Sequence, residues 1–236
     1  HLAGLPFGRY CRHLCFMRII ITAATTGEWM PAFAELDKRL AENSIRFKPV
    51  FHQSGVGMLA SAVSITKAVL TEKPDLVIQV GIAGCFDTTL PLGTVVVVKN
   101  EQLGDTGVLE EGKWKDIFDL KLEKSSYHPY EKRKLPNPWL KQYNLLELHE
   151  VDAITVNCIT TGTEHIARLQ KKYAPVIESM EGAALHYVCR ETQTPFLQIR
   201  AISNYIGERD KSKWLIGESI GALNQTILQL LDKLYD

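Results

Sequence analysis

From Met17 onward, short runs of β-branched and aliphatic residues alternate with segments whose apolar residues recur at helical spacing. This alternation limits the fold more than any other feature of the chain. The runs 18–24, 47–53, 76–80, 94–99, 153–160 and 196–203 have the length and residue types of strands. The segments 28–42, 58–71, 164–173, 182–191 and 214–235 have the period of helices. Several strands are apolar on both faces, which a sheet tolerates only when helices cover both sides. The pattern predicts a three-layer α/β/α sandwich around a central mixed sheet. With 236 residues, 45% of them hydrophobic, one large core can be buried, and no low-complexity tract marks a second domain.

Charge and cysteine content narrow the function. Lys plus Arg equals Asp plus Glu at 27 each, which argues against nucleic acid or an anionic membrane as the main partner. No apolar run approaches the roughly 20 residues needed to span a bilayer. The five cysteines are odd in number and scattered, so a reducing cytoplasm is expected rather than a disulfide framework. Cys11 and Cys15 flank His13 without a second ligand cluster, so neither a metal nor a cofactor is called for. Residues 1–16 differ in character from the rest of the chain and are read as an extension before a natural start at Met17. Residues 17–236 are then a single domain. The stretch 101–150, rich in charge and proline, is expected as a surface insertion.

In sheets of this kind, ligands bind at the carboxyl ends of strands. The segment 22–28 follows the first strand, Ser54, Gly55, Val56 and Gly57 follow the second, and Gly81, Ile82, Ala83 and Gly84 follow the third. Ser179, Met180, Glu181 and Gly182 precede a helix, and Ser203 and Asn204 end the last strand. Each is ordinary alone: glycines often turn a strand into a helix, and an acid in the first helical turn suits the helix dipole. In this order and spacing, over 17–236 apart from 101–150, they resemble the nucleoside phosphorylase/nucleosidase superfamily.

The resemblance implies a purine nucleoside and water as small-molecule partners and a homo-oligomer, dimer or larger. It implies that Glu28 activates water, that Gly81, Ile82 and Gly84 form a turn at the nucleophile and ribose, and that Met180 packs under the sugar. Glu181 would hold the ribose hydroxyls, Ser203 and Asn204 would face the purine, and His165 and Ile166 would stack along the base. The adenosine-type nucleosidases of the family carry aspartate where this chain has Asn204. Protonated N7 and a 6-amino group are both donors and suit an acceptor-only carboxylate. A 6-oxopurine instead offers N7–H beside the acceptor O6, which an asparagine matches with its carbonyl and its amide.

A phosphorylase must bind a dianion, for which guanidinium groups are the usual device. Hexameric phosphorylases of the family have arginine where this chain has Gln79, and the loop 22–28 contains no base but ends in an acid. Hydrolysis is therefore expected, with Glu28 as general base, Glu181 strengthening its hold on the ribose as the oxocarbenium develops, and Asn204 meeting the leaving base. Residues 179–184, 200–204 and 207–210, with Trp214, are similar to futalosine hydrolases, which release hypoxanthine from futalosine in menaquinone biosynthesis. Their substrate has an aromatic carboxylate on its 5′ tail, for which Arg209 is the candidate base. A purine nucleoside phosphorylase, a methylthioadenosine/adenosylhomocysteine nucleosidase and a non-catalytic nucleoside-binding protein stay open as alternatives.

Overall fold

All five residues of β1 (Ile19–Ala23) are buried, and successive side chains of a strand leave for opposite faces, so β1 needs a helix layer on each side. The computed structural model, which describes residues 17–235, has both layers. The expected extension at 1–16, with Cys11, His13 and Cys15, lies outside the described residues.

A one-turn 3-10 helix (Thr26–Glu28) follows β1, then α1 (Met30–Ala41), β2 (Val50–Gln53), α2 (Met58–Glu72), β3 (Leu76–Cys85) and β4 (Val95–Leu103). Next come a hairpin of β5 (Gly107–Glu110) and β6 (Lys113–Asp116), then β7 (Leu135–Pro136), α3 (Leu140–Tyr143), β8 (His149–Thr155) and α4 (Thr163–Tyr173). The chain ends with β9 (Ile177–Ser179), α5 (Gly182–Glu191), β10 (Phe196–Tyr205) and α6 (Ile216–Tyr235). Ile19 and Ile21 pack with Leu36 of α1 and with Leu223 and Ile227 of α6. Ile20 packs on the other face with Ile65 and Val69 of α2 and with Leu185 and Val188 of α5. The three-layer α/β/α arrangement and the mixed sheet are both as expected.

The sheet also closes, which the alternation of elements does not reveal. β1 runs parallel to β2 and β3. β3 pairs in turn with β10 and β9, β10 with β4, β4 with β8, and β8 with β9. Five strands thus form a ring without a free edge, gathering the ends of β3, β9 and β10 in one place.

Several boundaries differ from expectation. β3 and β10 are ten residues long, so residues 81–84 are strand rather than turn. The region 101–150 is not wholly a surface insertion. β4 continues through Leu103, β8 begins at His149, and Leu135 of β7 is fully buried against β4. Polar residues disguise these strands: Glu101 is fully buried and accepts from Gln198 and Thr155, while Asp152 accepts from Asn100 and Lys134. β8 stops at Thr155, and residues 156–160 leave the sheet instead of prolonging it to 160. Among the described residues, no helix is long and apolar enough to cross a membrane.

Candidate active site

A cleft of about 400 Å³ opens where β1, β3 and β10 end, with the β9–α5 junction as one wall. Glu28, Ile82, Gly84, Met180, Glu181, Ser203, Asn204 and Arg209 line it.

Glu28 owes its position to the short turn after β1. Pro31 lies in the first turn of α1, so Glu28 precedes that helix rather than belonging to its first turn. Its Oε2 accepts from the backbone N–H of Thr25 at 3.0 Å and from the Thr25 hydroxyl at 3.2 Å. Its Oε1 accepts from the backbone N–H of Ile82 at 3.3 Å. Asn224 of α6 holds the Glu28 carbonyl at 2.9 Å and, through its own side-chain oxygen, the N–H of Ala32. The carboxylate is thus fixed to β3 while its backbone is fixed to α6.

Glu181 immediately precedes α5 and is 6% exposed. Its Oε1 accepts from the backbone N–H of Gly57 at 3.0 Å, and its Oε2 lies 3.8 Å from Nη2 of Arg200. Arg200 has only 1% of its surface exposed, and its Nη2 donates to Oε1 of Gln79 at 2.7 Å. Its Nε has no hydrogen-bond partner among the described residues. A guanidinium carries five N–H donors, so Arg200 has donors to spare beside the two carboxylates. Gly81 makes this approach possible: a methyl group there would overlap Nη1 of Arg200 and stand 2.9 Å from Oε1 of Glu28. Gly81 does not line the cleft itself; it lets Arg200 and Glu28 reach the same spot from behind.

At the other end, β10 and β3 slip register between Ile202 and Asn204, leaving Ser203 as the extra residue of a bulge. The Ser203 hydroxyl lies 2.9 Å from Oδ1 of Asn204 and 3.3 Å from the carbonyl of Ala83. Nδ2 of Asn204 donates to the carbonyl of Tyr205 at 3.2 Å. A carbonyl only accepts, so this contact fixes which way the amide faces. One lone pair of Oδ1 and one N–H of Nδ2 remain for a ligand.

Other residues fall elsewhere. His165 and Ile166, expected along the base, do not line the cleft. Both lie near the start of α4, where His165 belongs to a shallow separate groove with Glu164 and Arg168. Ile166 faces Gly207, at which a methyl group would come within 2.9 Å of its Cδ1. β8 ends at Thr155, and in the exposed segment that follows it is Ile159 that lines the cleft. Arg209 is exposed and lies over the Trp214 ring at 5.5 Å, and both line the cleft. Arg200 and Glu178 are not among the residues expected from the sequence. A charged residue inside the apolar run 196–203 needs a buried partner, and that signal could have found Arg200. Among the described residues, no group of three or more His, Cys, Asp or Glu side chains is arranged to hold a metal ion.

Comparison with known proteins bears on this cleft. The family model of the Phosphorylase superfamily matches residues 39–235. A futalosine hydrolase of Streptomyces coelicolor is 29% identical over 184 residues, covering 75% of this chain and 76% of that protein. A 5′-methylthioadenosine/S-adenosylhomocysteine nucleosidase of Colwellia psychrerythraea is 26% identical over 195 residues, covering 78% and 79%. Among solved structures, the futalosine hydrolase of Helicobacter pylori superposes with a TM-score of 0.72 at 16% identity, covering 92% of this chain and 98% of that one. That last likeness establishes a shared fold.

Proposed function

The chain belongs to the Phosphorylase superfamily, and on that premise we propose that it is an N-ribosyl hydrolase that cleaves a 6-oxopurine nucleoside, futalosine above all, to free hypoxanthine. The observation that carries this reading is the approach of Glu28 and the buried Arg200 to the same space beside Gly81, with an amide of fixed orientation, Asn204, lining the cleft along with Glu28.

Cleavage of the glycosidic bond puts positive charge on the ribose and negative charge on the base, and only contacts that improve in that state raise the rate. Glu28, held on Thr25 and Ile82, takes a proton from a water beneath C1′, a role worth typically 10²–10⁴-fold. Spare donors of Arg200 orient that water. Glu181 holds the ribose hydroxyls, Met180 packs under the sugar, and Ile159 forms part of the apolar wall. Oδ1 of Asn204 meets N7–H as N7 gains its proton, and its amide meets O6. Before protonation the purine edge has two acceptors and the amide satisfies one, so the second bond forms on the way to the transition state.

Two carboxylates against one guanidinium disfavour a phosphate dianion as nucleophile. This is a better reason for hydrolysis than the absence of arginine at Gln79, since Arg200 of the neighbouring strand stands behind the site and donates to Gln79. At the cleft rim, Arg209 over Trp214 offers a cation and an aromatic face to the aromatic carboxylate of a futalosine tail. The enzyme would then serve menaquinone biosynthesis in the cytoplasm, where the buried free thiols Cys85 and Cys189 are at home. The exposed side chains Leu59, Val63 and Leu70 lie along one side of α2 and support a homo-oligomer.

Futalosine hydrolases and methylthioadenosine/adenosylhomocysteine nucleosidases are both among the relatives, and Asn204 favours the former. Comparing kcat/KM for futalosine, inosine and methylthioadenosine tests the choice. Futalosine should lead. Preference for methylthioadenosine would overturn the 6-oxopurine reading and leave the nucleosidase reading.

A further inference from the structure

Glu178 lies on β9, lines the cleft and is 6% exposed. Its Oε1 accepts from the backbone N–H of Thr160 at 3.0 Å, whereas its Oε2 is buried without a hydrogen-bond partner among the described residues. Burial drives its carboxyl above the ordinary range, contacts with Thr160 pull the other way, and nearby Asp105 adds repulsion. A buried carboxylate oxygen left bare is costly, so a donor supplied by a ligand would relieve it.

Strand register shows where that donor would come from. Gly84 of β3 pairs with Asn204 on one side and with Glu178 on the other, so the three stand in a row across β10, β3 and β9. Paired residues face the same side of a sheet, and all three line the cleft. Two strand spacings separate Asn204 from Glu178, roughly 10 Å, a span suited to a purine with a hydrogen bond at each end. Between them the floor is apolar, because the tip of Ile206 occupies the space a side chain on Gly84 would take.

A 6-oxopurine whose N7 and O6 meet Asn204 carries a donor, N1–H, on the far side of O6. Adenine has a lone pair at that position. We propose that Glu178 is a second specificity residue, whose free carboxylate oxygen accepts N1–H of the 6-oxopurine and confronts the N1 lone pair of adenine. This rests on the 6-oxopurine reading of the cleft. Asn204 then reads one edge of the base and Glu178 the next, and neither alone separates the two purines fully.

The test compares kcat/KM for a hypoxanthine nucleoside and its adenine counterpart, with the same 5′ group, in wild type and Glu178→Gln. The glutamine amide can turn its NH₂ toward N1 of adenine, so the wild-type preference for hypoxanthine should shrink by about 10- to 100-fold. An unchanged ratio in the variant, with the wild type still preferring hypoxanthine, overturns the role of Glu178 alone. Preference for adenine in the wild type overturns both it and the 6-oxopurine reading.

Discussion

Replacing Glu101 with glutamine should stabilise the protein at neutral and alkaline pH. Glu101 is fully buried, and burial lifts its carboxyl from 4.5 to about 7 against the opposing hydrogen bonds of Gln198 and Thr155 and the charge of Arg200. The reason lies in its neighbours. Nδ1 of His186 must donate to the carbonyl of Leu135, so its Nε2 is a bare acceptor, and burial holds the ring neutral with its pKa lowered to about 3. Gln198 gives its Nε2 to Glu101, and its own Oε1 is also unpartnered among the described residues. The Gln198 amide as placed serves Glu101 and leaves Nε2 of His186 without a donor. In Glu101→Gln the amides can turn in sequence, the introduced glutamine donating to Gln198 and Gln198 to His186, so both bare acceptors are satisfied. Glu101 titrates higher in the folded than in the unfolded chain, so the native state binds more protons between about pH 4.5 and 7, and this favourable contribution is lost as pH rises through 7. The displacement corresponds to about 3 kcal/mol at pH 8, or roughly 6–12 °C in Tm for a domain of this size. Thermal unfolding of wild type and Glu101→Gln at pH 5, 6, 7 and 8 measures it. The gap should be small at pH 5 and widen toward pH 8, because the opposite contribution of His186 enters both proteins. A variant less stable than wild type at pH 8, or a gap that does not change with pH, would show that the buried Glu101 carboxylate does not weaken the fold.

Glu28→Gln should lower kcat by about 10²–10⁴-fold while substrate binding, read by equilibrium titration, stays close to wild type; near-normal turnover would remove Glu28 from the mechanism. Asn204→Asp should move the kcat/KM ratio toward an adenine nucleoside over its hypoxanthine counterpart, since the carboxylate accepts from N7–H and the 6-amino group but leaves O6 without a donor. An unaltered ratio would mean that Asn204 does not read the base edge. In Gly81→Ala the new methyl group displaces Arg200 from Gln79, so stability should fall by about 3 kcal/mol or more and turnover should fall with it. A melting temperature within about 2 °C of wild type would show that Arg200 can yield without cost.

The layered fold is legible in the sequence because β1, β3 and most of β10 are runs of residues buried on both faces, and α1, α5 and α6 carry apolar stripes. Closure of the ring is not, since it depends on β9, only three residues long, and on pairings between strands far apart in sequence. The polar strand ends mislead for one reason. Glu101 looks like a surface residue until its buried partners Gln198 and Thr155 are known, and Asp152 until Asn100 and Lys134 are seen to meet it. In the cleft, Glu28, Met180, Glu181, Ser203 and Asn204 stand at strand ends or helix starts and can be found by position. Gly81 and Gly84 look like a turn, yet they are strand residues whose lack of a side chain admits Arg200 and Ile206. His165 and Ile166 fall outside the cleft because β8 ends five residues earlier than its β-branched run suggests, which also hides Ile159 from a sequence reading. Arg200 and Glu178 act through burial and cross-strand neighbours, which periodicity does not encode.

In the proposed reaction water rather than phosphate attacks C1′ of the ribose, with Glu28 as its base. The most direct measurement is base release from futalosine in phosphate-free buffer and again with phosphate added, with the sugar product identified by mass in each case. The cleft geometry predicts equal rates of hypoxanthine release and a free reducing sugar product in both buffers. Release that requires phosphate and yields a sugar 1-phosphate would contradict it.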